Sequence, residues 1–551
     1  MKNKKLLALL LAAAMSVGCL AGCGQTEVTS TETGKASTET EVVESTNTSE
    51  TIEADVYEVT YPVVDEPITV TGLIVNTQGR DYSENRWVWD KVSEITGINF
   101  EWIEIDKDAR STYLAGDWEF DFIISKDWKA NIINDYGVVG GMFANYYDYL
   151  EYMPNLQKLF EDFPEAEAVV REINGEIYRL PAVEISATAT QIRPYYRTDL
   201  LEAAGLTVPK TVDEFYNTLK VLKEKNGGAA AWCPRNLKED SYFGGMLFAA
   251  FGTKVSPDFD DDGTGKVIFN RTSEQYKHYL EFMNKLYEEE LIDQEYLTVD
   301  SQYALGLAQA GQTVFLGDEA HSLKEADFAD GVVHLGVLEP FTSEYDSTQT
   351  VLAQLPVKAH GFFLNKESEY LVPLVKAFDI MFAEEEVVEG SGLKGQSFTY
   401  GMEGRDYILN DDMTYDLVVP EGYSGSFTDY QYNELIVDNC GRATELAGYV
   451  TSTPGNGQAR QLGFVSNIFP YACDNSEVFP ASFLKFTEEE QAVITSKYAD
   501  VEAYVKEMKN KFITGVEDID TMWDAYVKGL DDRGLQDVIA VYQASYDRWN
   551  Q

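Results

Sequence analysis

The chain of 551 residues has little histidine, little positive charge, few cysteines and no apolar run long enough to span a bilayer. Its four histidines, His278, His321, His334 and His360, are scattered without metal-ligand spacing, so no histidine-built metal centre or catalytic relay can be read. His278 falls in an amphipathic pattern and is expected to be structural. Lysine and arginine number 43 against 93 acidic residues, a formal charge of -50. Such a field repels phosphate backbones and anionic headgroups over a Debye length, which argues against nucleic acid as a partner and suits a solvated surface protein. Phosphate loops, dinucleotide fingerprints and Gly-x-Ser-x-Gly elbows are missing from the contexts they require. Acid pairs are so frequent that counting cannot pick out or dismiss a glycosidase pair. There is no internal repeat of solenoid or propeller length. Beyond Cys19 and Cys23 near the start, Cys233, Cys440 and Cys473 lie far apart, leaving one disulfide or three buried thiols both open.

What is present begins with an export signal. Lys2, Lys4 and Lys5 precede an apolar run over residues 6–17, and the run ends Leu20-Ala21-Gly22-Cys23-Gly24, which resembles a bacterial lipobox. Residues 1–22 are therefore expected to be removed, and the Cys23 thiol to accept a lipid. Residues 25–64 are serine, threonine, glutamate and valine with almost no aromatics, a composition that cannot offset ordering entropy by burial. With Lys35 as its only base, this stretch is expected to be an extended acidic tether.

Past the tether, residues 68–75 alternate into the polar loop Asn76-Thr77-Gln78-Gly79, a helical segment at 87–96 stops at Gly97, and 98–105 and 120–124 read as further strands. Strand, helix and strand at this spacing predict a parallel sheet with right-handed crossovers. Ligands gather at the carboxyl ends of such strands, which places residues 76–80 and 125–128 at a cleft rim. A chain of this length is expected to form two lobes with appendages.

The stretch 192–215 is the most heavily punctuated. An aromatic strand ends in Arg197-Thr198-Asp199-Leu200-Leu201, a short helix stops at Gly205, Pro209 blocks its continuation, and Thr211 with Glu214 predicts a capping box. Elsewhere stand Glu94-Ile95-Thr96-Gly97-Ile98, Leu114-Ala115-Gly116-Asp117, the hairpin signal Asn174-Gly175 before Glu176-Ile177-Tyr178, and Tyr400-Gly401-Met402-Glu403-Gly404-Arg405-Asp406-Tyr407. Together these segments resemble the extracellular solute-binding proteins of ABC importers for sugars and oligosaccharides. The carboxyl end is similar to the larger, LplA-like lipoprotein members. One departure is the missing proline that the family carries before the aspartate of the third strand.

The resemblance implies an α/β fold of two discontinuous lobes with a hinge, the type II periplasmic-binding-protein-like arrangement. Residues 65–188 and 350–405 would form the first lobe, 189–349 and 406–551 the second. It implies a monomeric receptor on the extracellular face of the bacterial cell membrane, anchored only by its lipid. Such a receptor closes on a carbohydrate, expected to be an oligosaccharide, and presents it to ABC transporter permease subunits without making or breaking bonds. A peptide or other polar solute is the alternative within the class. A surface glycoside hydrolase or lyase is the rival outside it, and a scaffold lipoprotein with no small ligand is a third reading.

Sugar rings stack on aromatic planes while their hydroxyls bond carboxylates, amides and guanidinium groups. An isolated aromatic is more often core than platform, so loop position decides. That criterion selects Trp128 after the third strand, and Trp232 and Tyr242 between helices, with Asp127 and Glu319 as hydroxyl acceptors and Arg197 as a donor. Asp127 and Glu319 read equally as solvated surface, and Asp199 as the ion-pair partner of Arg197. The run Asp258-Phe259-Asp260-Asp261-Asp262-Gly263-Thr264-Gly265-Lys266 has the alternating oxygens of a calcium loop, with Asp258, Asp260 and Asp262 as ligands. Position twelve is Phe269 rather than glutamate, however, and an Asp-Gly hairpin competes. No other cofactor is expected.

Overall fold

The computed structural model describes residues 59–76, 86–125, 132–184, 194–234, 242–253, 258–317, 320, 323, 325–349, 357–359, 361–410, 415–423, 427–435, 441–443, 450–452 and 479–550. The strands in chain order begin with β1 (Ile68–Asn76), β2 (Ile98–Asp106), β3 (Phe122–Ser125), β4 (Pro181–Glu184) and β5 (Tyr195–Arg197). They continue with β6 (Phe259–Asp261), β7 (Val267–Phe269), β8 (Phe315–Leu316), β9 (Leu335–Val337), β10 (Val357–Ala359) and β11 (Gly361–Leu364). The last are β12 (Tyr407–Leu409), β13 (Tyr415–Leu417), β14 (Gly441–Ala443) and β15 (Val450–Ser452).

The first sheet has the order β11-β3-β1-β2, with β1 parallel to β2 and β3 and antiparallel to β11. The helix Trp87–Thr96 connects β1 to β2 and ends at Gly97, whose N–H donates to the Ser93 carbonyl and whose φ of 79° turns the chain out of the helix. Trp89 from that helix lies 4.8 Å from Phe100 and 5.1 Å from Trp102, so the sheet face is sealed by aromatic area. The first core continues through Leu156, Leu159, Val170, Phe362, Leu374 and Phe378, all buried.

A second core gathers around β8-β5-β9, where β5 lies antiparallel between its neighbours. It recruits the helix Val212–Lys225 and the helix Glu274–Glu288. From the end of the chain it takes Ala499–Ile513, Ile519–Asp532 and Leu535–Trp549. A three-stranded sheet of order β10-β4-β14 buries Val183 and Val357 in the first core. Chain leaving the first core runs through β4, and chain returning to it runs through β10, the two pairing antiparallel with Val357 opposite Val183. β14 joins β4 in parallel, and its Arg442 donates to Asp162 at 2.9 Å and to Glu384.

Local punctuation decides several details. Gly205 has a φ of 69°, as the helix stop requires. Thr211 accepts from Glu214 N at 3.1 Å, but Glu214 reaches Lys210 N rather than Thr211 N, so the expected reciprocal box is half formed. The full box occurs at Thr487 and Glu490. Asn174-Gly175 closes a turn in which only the glycine has positive φ, which differs from the type I′ geometry expected.

Tyr400, Tyr407, Tyr415, Leu417, Tyr430 and Leu435 form a small core of their own against Trp87.

Candidate functional site

Because β1 is parallel to its neighbours and the helix Trp87–Thr96 returns antiparallel to it, the amino end of that helix lies at the carboxyl edge of the sheet. This is the edge at which an α/β sheet presents ligand contacts. There Arg86 is buried and donates to the Leu435 carbonyl at 2.9 Å, and Trp87 N donates to Glu434 at 3.2 Å. The indole of Trp87 carries the Arg405 guanidinium 3.9 Å from its ring centre.

Arg405 is held by local chemistry. Its Nε and Nη2 donate to the fully buried Asp406 carboxylate at 2.9 and 2.6 Å, and Nη2 also reaches Tyr430 Oη at 3.1 Å. Asp406 in turn accepts from Met402 N at 2.7 Å. It lies so close to Gly401 that a Cβ there would meet its carboxylate at 2.1 Å, at a φ of 77° that already favours glycine. Burial first and the Asp406 charge second hold the Tyr430 hydroxyl well above the ordinary tyrosine range. Tyr423 meets Tyr430 edge to face at 5.3 Å and accepts from Asn433 at 2.7 Å. The Arg405 side chain remains 32% exposed, beside the half-buried Trp87 indole, the half-buried Tyr423 and the exposed Asn433 amide, while Tyr430 is buried beneath them. Such a set can stack a sugar face and bond its hydroxyls.

Residues 114–378 match the bacterial extracellular solute-binding protein family, and residues 482–551 match a separate domain family of unknown function. Residues 114–378 are thus similar to an extracellular solute-binding domain. The chain is 26% identical over 426 residues to the fructooligosaccharide ABC transporter substrate-binding protein FusA of Streptococcus pneumoniae, covering 72% of this chain and 74% of that one. Lipoprotein LipO of Bacillus subtilis is 28% identical over 303 residues, 50% of this chain and 56% of LipO. In structure, a solute-binding protein of Bifidobacterium longum infantis described as HMO-binding aligns over 88% of this chain and 99% of its own, with a TM-score of 0.67 at 21% identity. The fold is thus the two-lobed α/β fold of solute-binding proteins. Among the described residues, no helix is long and apolar enough to cross a membrane.

The contacts expected from the sequence fall in three groups. Cys23, Asp127, Trp128 and Glu319 lie outside the described residues, as do Cys440 and Cys473. Tyr242 opens the helix Tyr242–Ala249. Two residues are corrected. Trp232 is 2% exposed and packs 4.8 Å from Phe243 and 5.3 Å from Phe215, because its backbone bridges to Ile292 and Phe315 and turns the indole into the second core. Arg197 is also buried: it donates to Asp199 at 2.8 and 2.6 Å and to the Ala308 carbonyl at 3.1 Å, and lies 4.4 Å from the Phe328 ring centre. Its guanidinium is consumed by the fold. Asp199 is its ion-pair partner, with a pKa that burial alone would raise but the Arg197 bonds hold below the ordinary value.

The calcium reading is corrected as well. Asp258 to Lys266 forms a hairpin of β6 and β7 closed by Asp262 N donating to the Lys266 carbonyl at 2.9 Å. Asp262 accepts from Thr264 N and Oγ1 within its own turn, while Asp258 pairs with Arg271 at 3.0 Å. Asp260 is buried at 2% exposure. The three carboxylates therefore face different partners, and among the described residues no group of three or more acidic, histidine or cysteine side chains could hold a metal ion. Cys233 is buried next to Trp232. The sequence does not single out Trp87 and Arg405, although Arg405 stands in the glycine-flanked motif 400–407.

Proposed function

We propose that this protein is the receptor of an ABC importer, and that it captures a carbohydrate, preferentially an oligosaccharide, by closing two lobes about the β10-β4-β14 sheet. The observation that carries this reading is that sheet: the chain leaves the first core through β4 toward the second and returns through β10, and the two strands pair side by side, the topology a hinge needs. FusA is named for a fructooligosaccharide, which supports carbohydrate as the class. Ligand contacts on both lobes favour the closed state by differential affinity, and the permease subunits read closure; the protein is a monomer and no bond is made or broken. The first lobe comprises 65–188 and 350–405 with 406–443 against it, the second 189–349 and the terminal helices. Trp87 and Arg405 present the first-lobe platform, and Asp127, Trp128 and Glu319 from loops, with Tyr242 from the start of its helix, complete the site. The lipid on Cys23 and the acidic tether hold the receptor at the outer membrane face.

The test is a thermal-shift panel on the soluble chain from about residue 61, with mono- and oligosaccharides including kestose and short peptides, followed by chromatography of the incubated ligand. At one hundred times its dissociation constant a ligand adds about 2.7 kcal/mol to the folded state. Intact recovered sugar with a shift, lost in Trp87→Ala, is the expected result. Shortened sugar would replace the receptor with a glycoside hydrolase or lyase, and a shift with peptide alone would move the ligand class.

A further inference from the structure

The terminal segment 482–551 belongs to a domain family without an assigned role, and its first residues lie where the two cores meet. Phe479 packs into the second core, Phe483 into the first and Leu484 back into the second. Sequence neighbours Phe483 and Leu484 thus anchor in different lobes. Phe483 stacks on Trp549 at 5.1 Å, which brings the end of the last helix to the same junction.

Lys485 completes the crossing with both of its polar ends. Its carbonyl accepts from Ser545 Oγ at 2.7 Å and from Arg548 Nη2 at 2.8 Å, both on the helix Leu535–Trp549 of the second lobe. Arg548 is fixed in turn on Glu490. The ammonium points the other way: Nζ donates at 2.9 Å to the Val169 carbonyl in the last turn of Pro164–Val170 in the first lobe. There it lies 4.0 Å from Glu172, which also pairs with Arg179 at 3.3 Å. A single residue therefore ties the last helix of one lobe to a helix end of the other, apart from the three-stranded sheet.

We propose that the terminal domain serves as a pivot strap of the hinge, with Lys485 as the positioning residue that sets the separation of the lobes. The proposal rests on the two-lobed hinge reading above. An aromatic and aliphatic residue alternating between cores fixes where the strap crosses, and a directional hydrogen bond with a charge partner fixes how closely the lobes approach.

Small-angle X-ray scattering of the ligand-free protein tests this without any sugar. Lys485→Met keeps the apolar stem and removes the bond to Val169, so the radius of gyration and maximum dimension should rise above those of the parent. Lys485→Arg, which retains donors for the Val169 carbonyl and Glu172, should keep the parent values. A folded Lys485→Met chain with the parent's dimensions and only a lower melting temperature would overturn the proposal, because packing alone would then account for the residue. Should Lys485→Met not fold, Glu172→Gln approaches from the other lobe; it must shift the dimensions in the same direction by a smaller amount, and parent dimensions there would equally overturn the pivot. A silent sugar panel bears on ligand capture alone, so the two readings fail separately.

Discussion

Asp379 ends the helix Leu371–Asp379 with its carboxylate fully buried, and both oxygens serve the amino end of another helix, Pro154–Asp162. Oδ1 accepts from Leu156 N at 2.9 Å, and Oδ2 from Asn155 N at 3.2 Å and Asn155 Nδ2 at 2.7 Å. Burial disfavours the ionised form, whereas the three donors and the helix amino end favour it. Burial wins and pushes the carboxyl from 3.8 up to about 7. Between those values the folded chain holds a proton that the unfolded chain has released, so stability from this group is fully present below pH 3.8 and is lost as pH rises through about 7. At 1.36 kcal/mol per pH unit the change is on the order of 4 kcal/mol. Asp379→Asn keeps an accepting carbonyl and has no charge to desolvate, so it should lack this slope and at pH 8 be at least as stable as the parent. Asp379→Ala leaves buried donors unpaired and should cost roughly 2–3 kcal/mol across the range. Urea unfolding of the first lobe followed by circular dichroism at pH 4.5, 6 and 7.5 reads both, as differences from the parent so that other carboxylates cancel. An asparagine variant with the parent's pH slope, or an alanine variant of parental stability, would refute the reasoning.

Lys485 gives the opposite slope. Burial outweighs the nearby Glu172 charge and pushes its ammonium from 10.5 down to about 8, so between these values the unfolded chain binds more protons and stability rises with pH. Melting temperatures from pH 7.5 to 10 should show that rise in the parent and not in Lys485→Met; equal slopes would rule it out. Arg197→Met should destabilise the second lobe by about 2 kcal/mol, through the lost bonds to Asp199 and Ala308, and Trp232→Ala by about 3–5 kcal/mol. Neither should change affinity per folded molecule for a sugar found in the thermal panel, measured by calorimetry; a tenfold loss in folded Arg197→Met would return Arg197 to the ligand site. Arg405→Met should weaken that same sugar by about tenfold per folded molecule, and it should also lower stability to urea, by on the order of 3 kcal/mol, because the fully buried Asp406 carboxylate loses its charged partner.

Features controlled by residues a few positions apart were legible in the chain. Gly97 and Gly205 stop their helices with the left-handed backbone that only a missing side chain makes comfortable, and Thr487 with Glu490 closes the box its spacing announces. The alternation of residues 68–75, the helix after it and the strand at 98 were enough to place a parallel sheet. Side-chain direction in loops was not legible. Trp232 was placed among sugar contacts by loop position, yet Phe215 and Phe243 enclose it, and nothing within its own neighbourhood distinguishes a platform from a core indole. The Asp258 run failed for a related reason: spacing describes where oxygens stand along the chain, while Arg271 and the turn's own N–H groups decide what those oxygens bond.

The most consequential arrangements join distant parts of the chain. Arg405 covers Trp87 from across more than half the sequence, and the cap it creates depends on an aspartate buried against Gly401. In the same way Phe483 and Leu484 show no periodicity that would send them to different cores; only the docking of the last helix, through Ser545 and Arg548, turns their backbone so that each finds its own lobe. A contact that crosses between lobes has to be made by residues whose local pattern belongs to neither. Local punctuation therefore identifies the lobes well, while the rim and the pivot that would couple them emerge only when the two ends of the chain are brought together.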